Sequence, residues 1–275
     1  MLTIDQIAQP SYGIVNSYST SPLFCQRNSS AARFEQKGDS SLRCRRPLES
    51  HDSQLELPPT RVKGQVKKPI PVTTLFVDVG GVLPPNGWDH HARKRAAKHS
   101  KLNWTEMDER HRHVFETHEE RRLAFEEGLG WVVFFEKRPL TRNQIRDFMF
   151  ARSKSYPKML GLVARLKAQH DLKVVVISNE LREVNAHRIH TFRLDQLVDT
   201  FISSCFVGMR KPDVEIFRLA LDLAQTAPER AVFIDNTPMF VQIAGRLGMR
   251  SIHHVDYEST RAKLTSLGLQ TNDAT

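Results

Sequence analysis

From residue 72 onward, short β-branched apolar runs alternate with longer stretches in which apolar residues recur every three or four positions. No other feature of the chain constrains its fold as strongly. The runs are VTTLFVDV (72–79), KVVVIS (173–178), TFISSCF (200–206), AVFID (231–235) and SIHHV (251–255). Between them lie PKMLGLVARLKAQH, VNAHRIHTFRLDQL, PDVEIFRLALDLAQ and MFVQIAGRLG, each with an apolar stripe at helical spacing. Alternating strands and helices imply an α/β fold, a parallel sheet covered by helices on both faces. In such sheets ligands sit beyond the carboxyl ends of the strands.

One interval is too long for a single crossover helix. Residues 86–150 are charged and helical in pattern, and they leave the sheet at the end where ligands bind. They read as a helical cap over the strand ends, inserted into a core made of residues 72–85 and 151–270. Residues 1–71 are rich in Ser, Arg, Gln and Pro with no sustained periodicity, which predicts a disordered N-terminal tail. Asp5, Glu35, Asp39 and Glu49 in that segment argue against an organelle transit peptide.

Charge and cysteine content narrow the function classes. Of the formal net charge of +9, residues 1–70 carry +4 (10 basic against 6 acidic) and the remainder +5 (30 against 25). The excess is spread out and lacks an aromatic-interleaved stripe, so nucleic-acid binding is not expected. Cys25, Cys44 and Cys205 show no paired spacing, which suits a reducing compartment without a disulfide framework. No apolar run approaches the length of a membrane span and no secretory signal is evident. A cytoplasmic location away from membranes is the expectation.

Four strand ends carry polar groups in order. Asp78 follows LFV, Ser178 and Asn179 follow KVVVI, Lys211 follows CFVGMR and precedes Pro212, and Asp235 with Asn236 follows AVFI. Each alone reads as a cap, a turn or a surface residue. Together at one sheet edge they make a plausible phosphoryl-transfer site. Asp78 is placed to attack phosphorus and form an aspartyl-phosphate. A carboxylate facing a phosphate needs charge compensation, which Mg²⁺ and Lys211 can provide. Ser178, Asn179 and backbone N–H groups around Gly80 and Gly81 are candidates to hold phosphate oxygens, because glycine lets the backbone approach a phosphate or metal closely.

The segments FVDVGGVL, VVVISN, GMRKPDVEIF and AVFIDNTPMFVQIAGRLGM, in that order over roughly residues 72–255, resemble the haloacid dehalogenase-like hydrolase superfamily, and within it the capped phosphatase-type members. The resemblance implies a Rossmann-like core, an inserted helical cap, Mg²⁺, and hydrolysis of a small phosphorylated substrate through Asp78. It implies a metal site made of the Asp78 carboxylate, the Gly80 carbonyl and an acid of the fourth segment, either Asp235 or its neighbour Asn236 standing in that place. The sequence departs from the family pattern twice. Gly80 stands where a second aspartate usually serves as general acid, and Asn236 follows Asp235 where two acids are common. A catalytically weak member of the fold that binds a ligand or partner is the alternative reading.

Other residues invite roles. His90, His91, His99, His111, His113 and His118 crowd the insertion without the spacing of a metal site, and His90 or His91 could replace the missing acid. Trp88, Trp104, Trp131, Phe134 and Phe135 either line a pocket under the cap or pack the cap's own core. Cys205, read as part of the third strand, is expected as a small buried apolar residue.

Overall fold

The structure is a computed structural model that describes residues 70–120 and 122–272. The tail expected over 1–71 falls, up to residue 69, outside the described residues. Within them, β1 (Thr74–Val77), β2 (Lys173–Ser178), β3 (Thr200–Ser203), β4 (Ala231–Asp235) and β5 (Arg250–His253) form a parallel sheet. Their order is β3-β2-β1-β4-β5. The chain therefore builds outward from β1 in one direction, then crosses back to continue on the other side. The crevice where this reversal occurs lies between β1 and β4, where α/β sheets place their ligands.

Helices follow the strands as the periodicity predicts. Between β1 and β2 lie α1 (His90–His99), α2 (Trp104–Glu119), α3 (Phe125–Val132), α4 (Arg142–Arg152) and α5 (Pro157–His170). After β2 comes α6 (Arg182–Phe192), after β3 come α7 (Ser204–Val207) and α8 (Val214–Ala224), and α9 (Pro238–Arg246) and α10 (Tyr257–Ser266) flank β5. Pro157 opens α5, where its missing N–H has no intrahelical partner to lose. Asp213 caps α8 by accepting from Glu215 N at 2.9 Å, and Asp89 caps α1 by accepting from Ala92 N at 2.7 Å. Each satisfies a donor that the first helical turn leaves free.

The two sheet faces have separate cores because side chains alternate along each strand. Leu75 and Val77 of β1 pack with Met159, Leu162, Val163 and Leu166 of α5 and Leu264 of α10. Phe76 points the other way, with Ile216, Phe217 and Ala220 of α8 and Ala244 of α9. A third cluster joins Ala96, Met107, Phe125, Leu129, Ile145 and Met149 of the inserted helices to Leu181 and Val184 at the start of α6. The inserted helices thus have their own core and rest on the sheet edge through α6. No helix among the described residues is long and apolar enough to cross a membrane.

One strand expectation is corrected. TFISSCF does not stay extended to Phe206: β3 ends at Ser203, and Ser204–Val207 turn into α7, closed by Gly208 at φ 70°. Cys205 is therefore a helical residue, though a buried one. Apolar content alone did not mark the change, because this short helix is buried much as the strand before it is.

Phe233 of β4 is inaccessible and meets Phe217 edge-on at 5.4 Å between ring centroids. Replacing Phe233 with alanine should cost about 3–5 kcal/mol through lost burial and the cavity left behind. A lowered midpoint in denaturant unfolding at unchanged slope checks it.

Candidate active site

Parallel register places two carboxylates side by side. Val77 pairs with Ile234, and Asp78 N donates to Ile234 O at 2.9 Å, so Asp78 continues β1 next to Asp235 at the end of β4. Both side chains are buried, where like charges repel strongly. Lys211 resolves this. Its Nζ donates to Asp78 Oδ1 at 2.9 Å and to Asp235 Oδ2 at 2.5 Å, and the residue is 1% exposed. Burial disfavours the ammonium, but the Asp78 and Asp235 charges outweigh it and raise the Lys211 pKa. Burial, then the charge of Asp78, pushes Asp235 up to about 6 against the opposing pull of Lys211.

The lysine is held from behind. Asn179 Nδ2 donates to Lys211 O and Asn179 Oδ1 accepts from Lys211 N, both at 2.8 Å. This two-way amide clamp fixes the backbone that carries the ammonium, while the rings of Phe240 and Phe233 lie 5.0 and 5.7 Å from Nζ. Asn179, expected to help hold the phosphate, lines the cavity and has its amide engaged with the Lys211 backbone.

The two carboxylates differ in what they leave open. Asp235 has both oxygens bonded, Oδ2 to Lys211 and Oδ1 to Thr237 N at 2.7 Å, and is wholly inaccessible. Asp78 has one oxygen on Lys211 and, among the described residues, no hydrogen bond on the other. Asp78 lines a cavity of about 220 Å³, together with Gly80, Asn179, Lys211 and Asn236. Asp235 stands behind that wall.

Gly80 and Gly81 have different reasons to be glycine. A Cβ on Gly81 would fall 2.2 Å from Asn236 Nδ2 and displace that side chain, and its φ of +93° would strain any other residue. Its N–H donates to Pro84 O at 2.7 Å within a turn. That corrects the expectation of Gly81 as a phosphate donor: the group is already used, and Gly81 faces a separate groove beside Tyr156 and His254. A Cβ on Gly80 would meet nothing closer than 3.5 Å, with Arg188 Nη1 and Asn86 nearest. Ser178 also sits behind the cavity, its hydroxyl donating to Glu180 Oε1 at 3.3 Å and accepting from Val79 N at 3.4 Å.

Several wall residues had no signal in the sequence. Arg188 of α6 is 2% exposed and donates to Glu180 Oε1 at 2.6 Å, Ser153 Oγ at 3.1 Å and Pro85 O at 3.1 Å. Glu180 is buried with it, and burial raises its pKa against the Arg188 charge. Glu119, the last residue of α2, is 4% exposed and accepts from Arg210 Nε at 3.0 Å. Burial pushes its carboxyl up to about 7, even against the adjacent Arg210 guanidinium. Trp88, Phe115 and Phe240 supply aromatic wall. Of the five aromatic candidates in the insertion only Trp88 lines this cavity; Trp131 is exposed and Trp104 meets His90 edge-on. His90 and His91 are exposed and outside the cavity wall, and the side chain of His118 lies outside the described set.

The donor set suits a hard cation. Among the described residues no three His, Cys, Asp or Glu side chains gather as a metal site, which argues against a closed zinc site. Magnesium asks for less, one or two carboxylates and other oxygens with several waters kept. Asp78, Gly80 and Asn236 on one cavity wall could meet that demand, with Asn236 offering an uncharged amide oxygen.

Glu119 also makes a pH prediction. Its carboxyl moves from a reference pKa of 4.5 to about 7 in the folded chain. Between those values the folded state keeps a proton that the unfolded state has released. This stabilising contribution is full below pH 4.5 and lost as pH rises through 7. Denaturant unfolding on either side of that window should show a smaller decline in Glu119→Gln than in the parent.

Residues 71–248 match the haloacid dehalogenase-like hydrolase family. A stretch of 107 residues is 34% identical to bifunctional epoxide hydrolase 2 of Rattus norvegicus, covering 38% of this chain and 19% of that protein. Another of 111 residues is 28% identical to sesquiterpene phosphatase astK of Aspergillus oryzae, covering 40% of this chain and 56% of that one. The chain thus matches less than two thirds of either relative's length. A haloacid dehalogenase-like family enzyme of Bacteroides thetaiotaomicron, solved as a magnesium complex, superposes with a TM-score of 0.57 at 20% identity, over 66% of this chain and 93% of that one. That last likeness is one of fold.

Proposed function

The chain belongs to the haloacid dehalogenase-like hydrolase family, and from that premise we propose that it is a magnesium-dependent phosphatase of small phosphomonoesters. One observation carries the reading. Of the two carboxylates that Lys211 joins, Asp78 alone reaches the cavity and, among the described residues, keeps an oxygen without a hydrogen bond, whereas Asp235 is wholly buried with both oxygens bonded. A nucleophile must be exposed to its substrate and have a lone pair free; a supporting carboxylate needs neither.

On this reading the Asp78 carboxylate attacks phosphorus and the ester oxygen departs, leaving an aspartyl-phosphate that water then hydrolyses. Lys211 holds the Asp78 carboxylate in place, and Asn179 holds Lys211. Asp78 and Asp235 against Lys211 leave one net negative charge, so an incoming phosphate needs additional positive charge. Mg²⁺ bound through Asp78, Gly80 and Asn236 would supply it by screening nucleophile and phosphate from each other. The magnesium complex of the Bacteroides enzyme and the phosphatase name of the Aspergillus relative support this reading. The cavity, about 220 Å³, lies below the roughly 300–1,000 Å³ of pockets for drug-sized ligands, which favours a small substrate.

Asp78→Asn should remove turnover of nitrophenyl phosphate in the presence of Mg²⁺ while the fold persists, because Lys211 keeps Asp235 as a partner. Steady-state rates and unfolding curves of the two proteins check this. Turnover that survives the substitution would sink the nucleophile assignment.

A further inference from the structure

Departure of an alkoxide from phosphorus needs a proton, and the strand end that bears the nucleophile has no side chain at Gly80 to deliver one. The space above Gly80 is bordered by Arg188 and Asn86. A guanidinium does not release its proton at any ordinary pH, and an amide is no acid. The donor must come from elsewhere on the wall, where the carboxyl groups besides Asp78 are Asp89, Glu119 and Glu180. Asp89 is committed to the N-terminus of α1, its Oδ1 accepting from Ala92 N at 2.7 Å. Glu180 is bound at one oxygen by both Arg188 and Ser178, inside a buried network that fixes it.

Glu119 caps no helix and, among the described residues, takes its side-chain hydrogen bond from Arg210. It comes from the inserted helix α2 and lines the same cavity as Asp78. It is nearly inaccessible, and its bond from Arg210 engages Oε2 only. Arg210 immediately precedes Lys211, so the contact that positions Glu119 is built on the backbone that positions the nucleophile's partner. We propose that Glu119 is the proton donor to the leaving group and then the base for water, replacing from the inserted helices the acid that Gly80 cannot provide.

The inference rests on the aspartyl-phosphate reading. In the first step the Asp78 oxygen bonds to phosphorus, the phosphorus–ester oxygen bond breaks, and the ester oxygen takes the Glu119 proton to leave as an alcohol. In the second, the Glu119 carboxylate takes a proton from water as that water's oxygen bonds to phosphorus. The phosphorus–Asp78 bond breaks, and orthophosphate, the free Asp78 carboxylate and protonated Glu119 result. A donor of this kind works best when its pKa lies near the operating pH, and the Glu119 value of about 7 meets that condition. The charged groups that act on it are Arg210, Lys211 and Glu180, with Glu116 sharing the Arg210 guanidinium.

The test compares ethyl phosphate, which has a poor leaving group, with nitrophenyl phosphate, which has a good one. In Glu119→Gln the loss on ethyl phosphate should exceed the loss on nitrophenyl phosphate by roughly 10²-fold, the lower end of what a positioned acid contributes. For the parent, kcat/KM on ethyl phosphate should fall as pH rises through about 7, and Glu119→Gln should lack that limb. Glu119→Asp, which keeps a carboxyl, should restore part of the ethyl phosphate rate. Equal losses on both esters, or an unchanged pH profile, would overturn the role. Asp78→Asn run in parallel separates the two readings: activity lost there but falling equally on both esters in Glu119→Gln leaves the nucleophile standing and removes Glu119. If nitrophenyl phosphate turnover survives Asp78→Asn, both readings fall together.

Discussion

A single ammonium group between two carboxylates ties this fold to its chemistry. The parallel register of β1 and β4 places Asp78, just past the end of β1, beside Asp235, the last residue of β4, and without a cation between them the arrangement would carry two buried like charges. Lys211 is 1% exposed and bonded to both. Removing one partner of a buried pair costs about 3–5 kcal/mol, because the survivor is left uncompensated. The same residue is therefore required by the strand pairing and by the site. The Asn179 clamp on its backbone shows how a strand end can act through another residue: the amide sets where the charge sits.

The fold was legible because its central strands β1, β2 and β4 are short, near-continuous apolar runs alternating with helical stretches, the pattern of a parallel sheet covered on both faces. PKMLGLVARLKAQH coincides with α5, and KVVVIS and AVFID coincide with β2 and β4. TFISSCF was overread, since α7 buries Ser204 and Cys205 much as a strand would. In the site, residues that sit at strand ends were legible because chain order fixes their edge. Ser178, Asn179, Lys211 and Asp235 come together as expected, but Ser178 and Asp235 stand behind the cavity wall. Gly81 serves a turn. Such distinctions depend on side-chain direction and hydrogen-bond partners, which no spacing encodes.

Arg188, Glu180 and Glu119 were invisible for a related reason. Each is a charged residue in a charged neighbourhood of the sequence, and nothing local sets it apart from a solvated helix face. Arg188 and Glu119 are buried because the inserted helices pack on Leu181 and Val184 of the core, a contact between segments far apart in sequence. The histidines drew attention instead because histidine titrates near neutral pH. His90 and His91 are exposed, and burial has given the neutral-range value to a glutamate.

Moving the acid from a strand end to an inserted helix changes what the helix does. An acid two residues past the nucleophile would share its strand end and stay in place whatever the insertion did. Glu119 belongs to α2, and its hold on the site runs through Arg210, which also bonds Glu116 one helical turn earlier. Two carboxylates from one helix on one guanidinium fix both the distance and the rotation of α2 relative to the loop that carries Lys211. With Glu119 as donor, proton transfer requires α2 to be docked, and the docking contact that seats the donor is also the one that buries it and raises its pKa. A helix displaced from the site would expose Glu119 to water, return its carboxyl toward the ordinary carboxylate range and leave Asp78 without an acid. In the docked arrangement the Arg210 contacts both seat Glu119 and bury it.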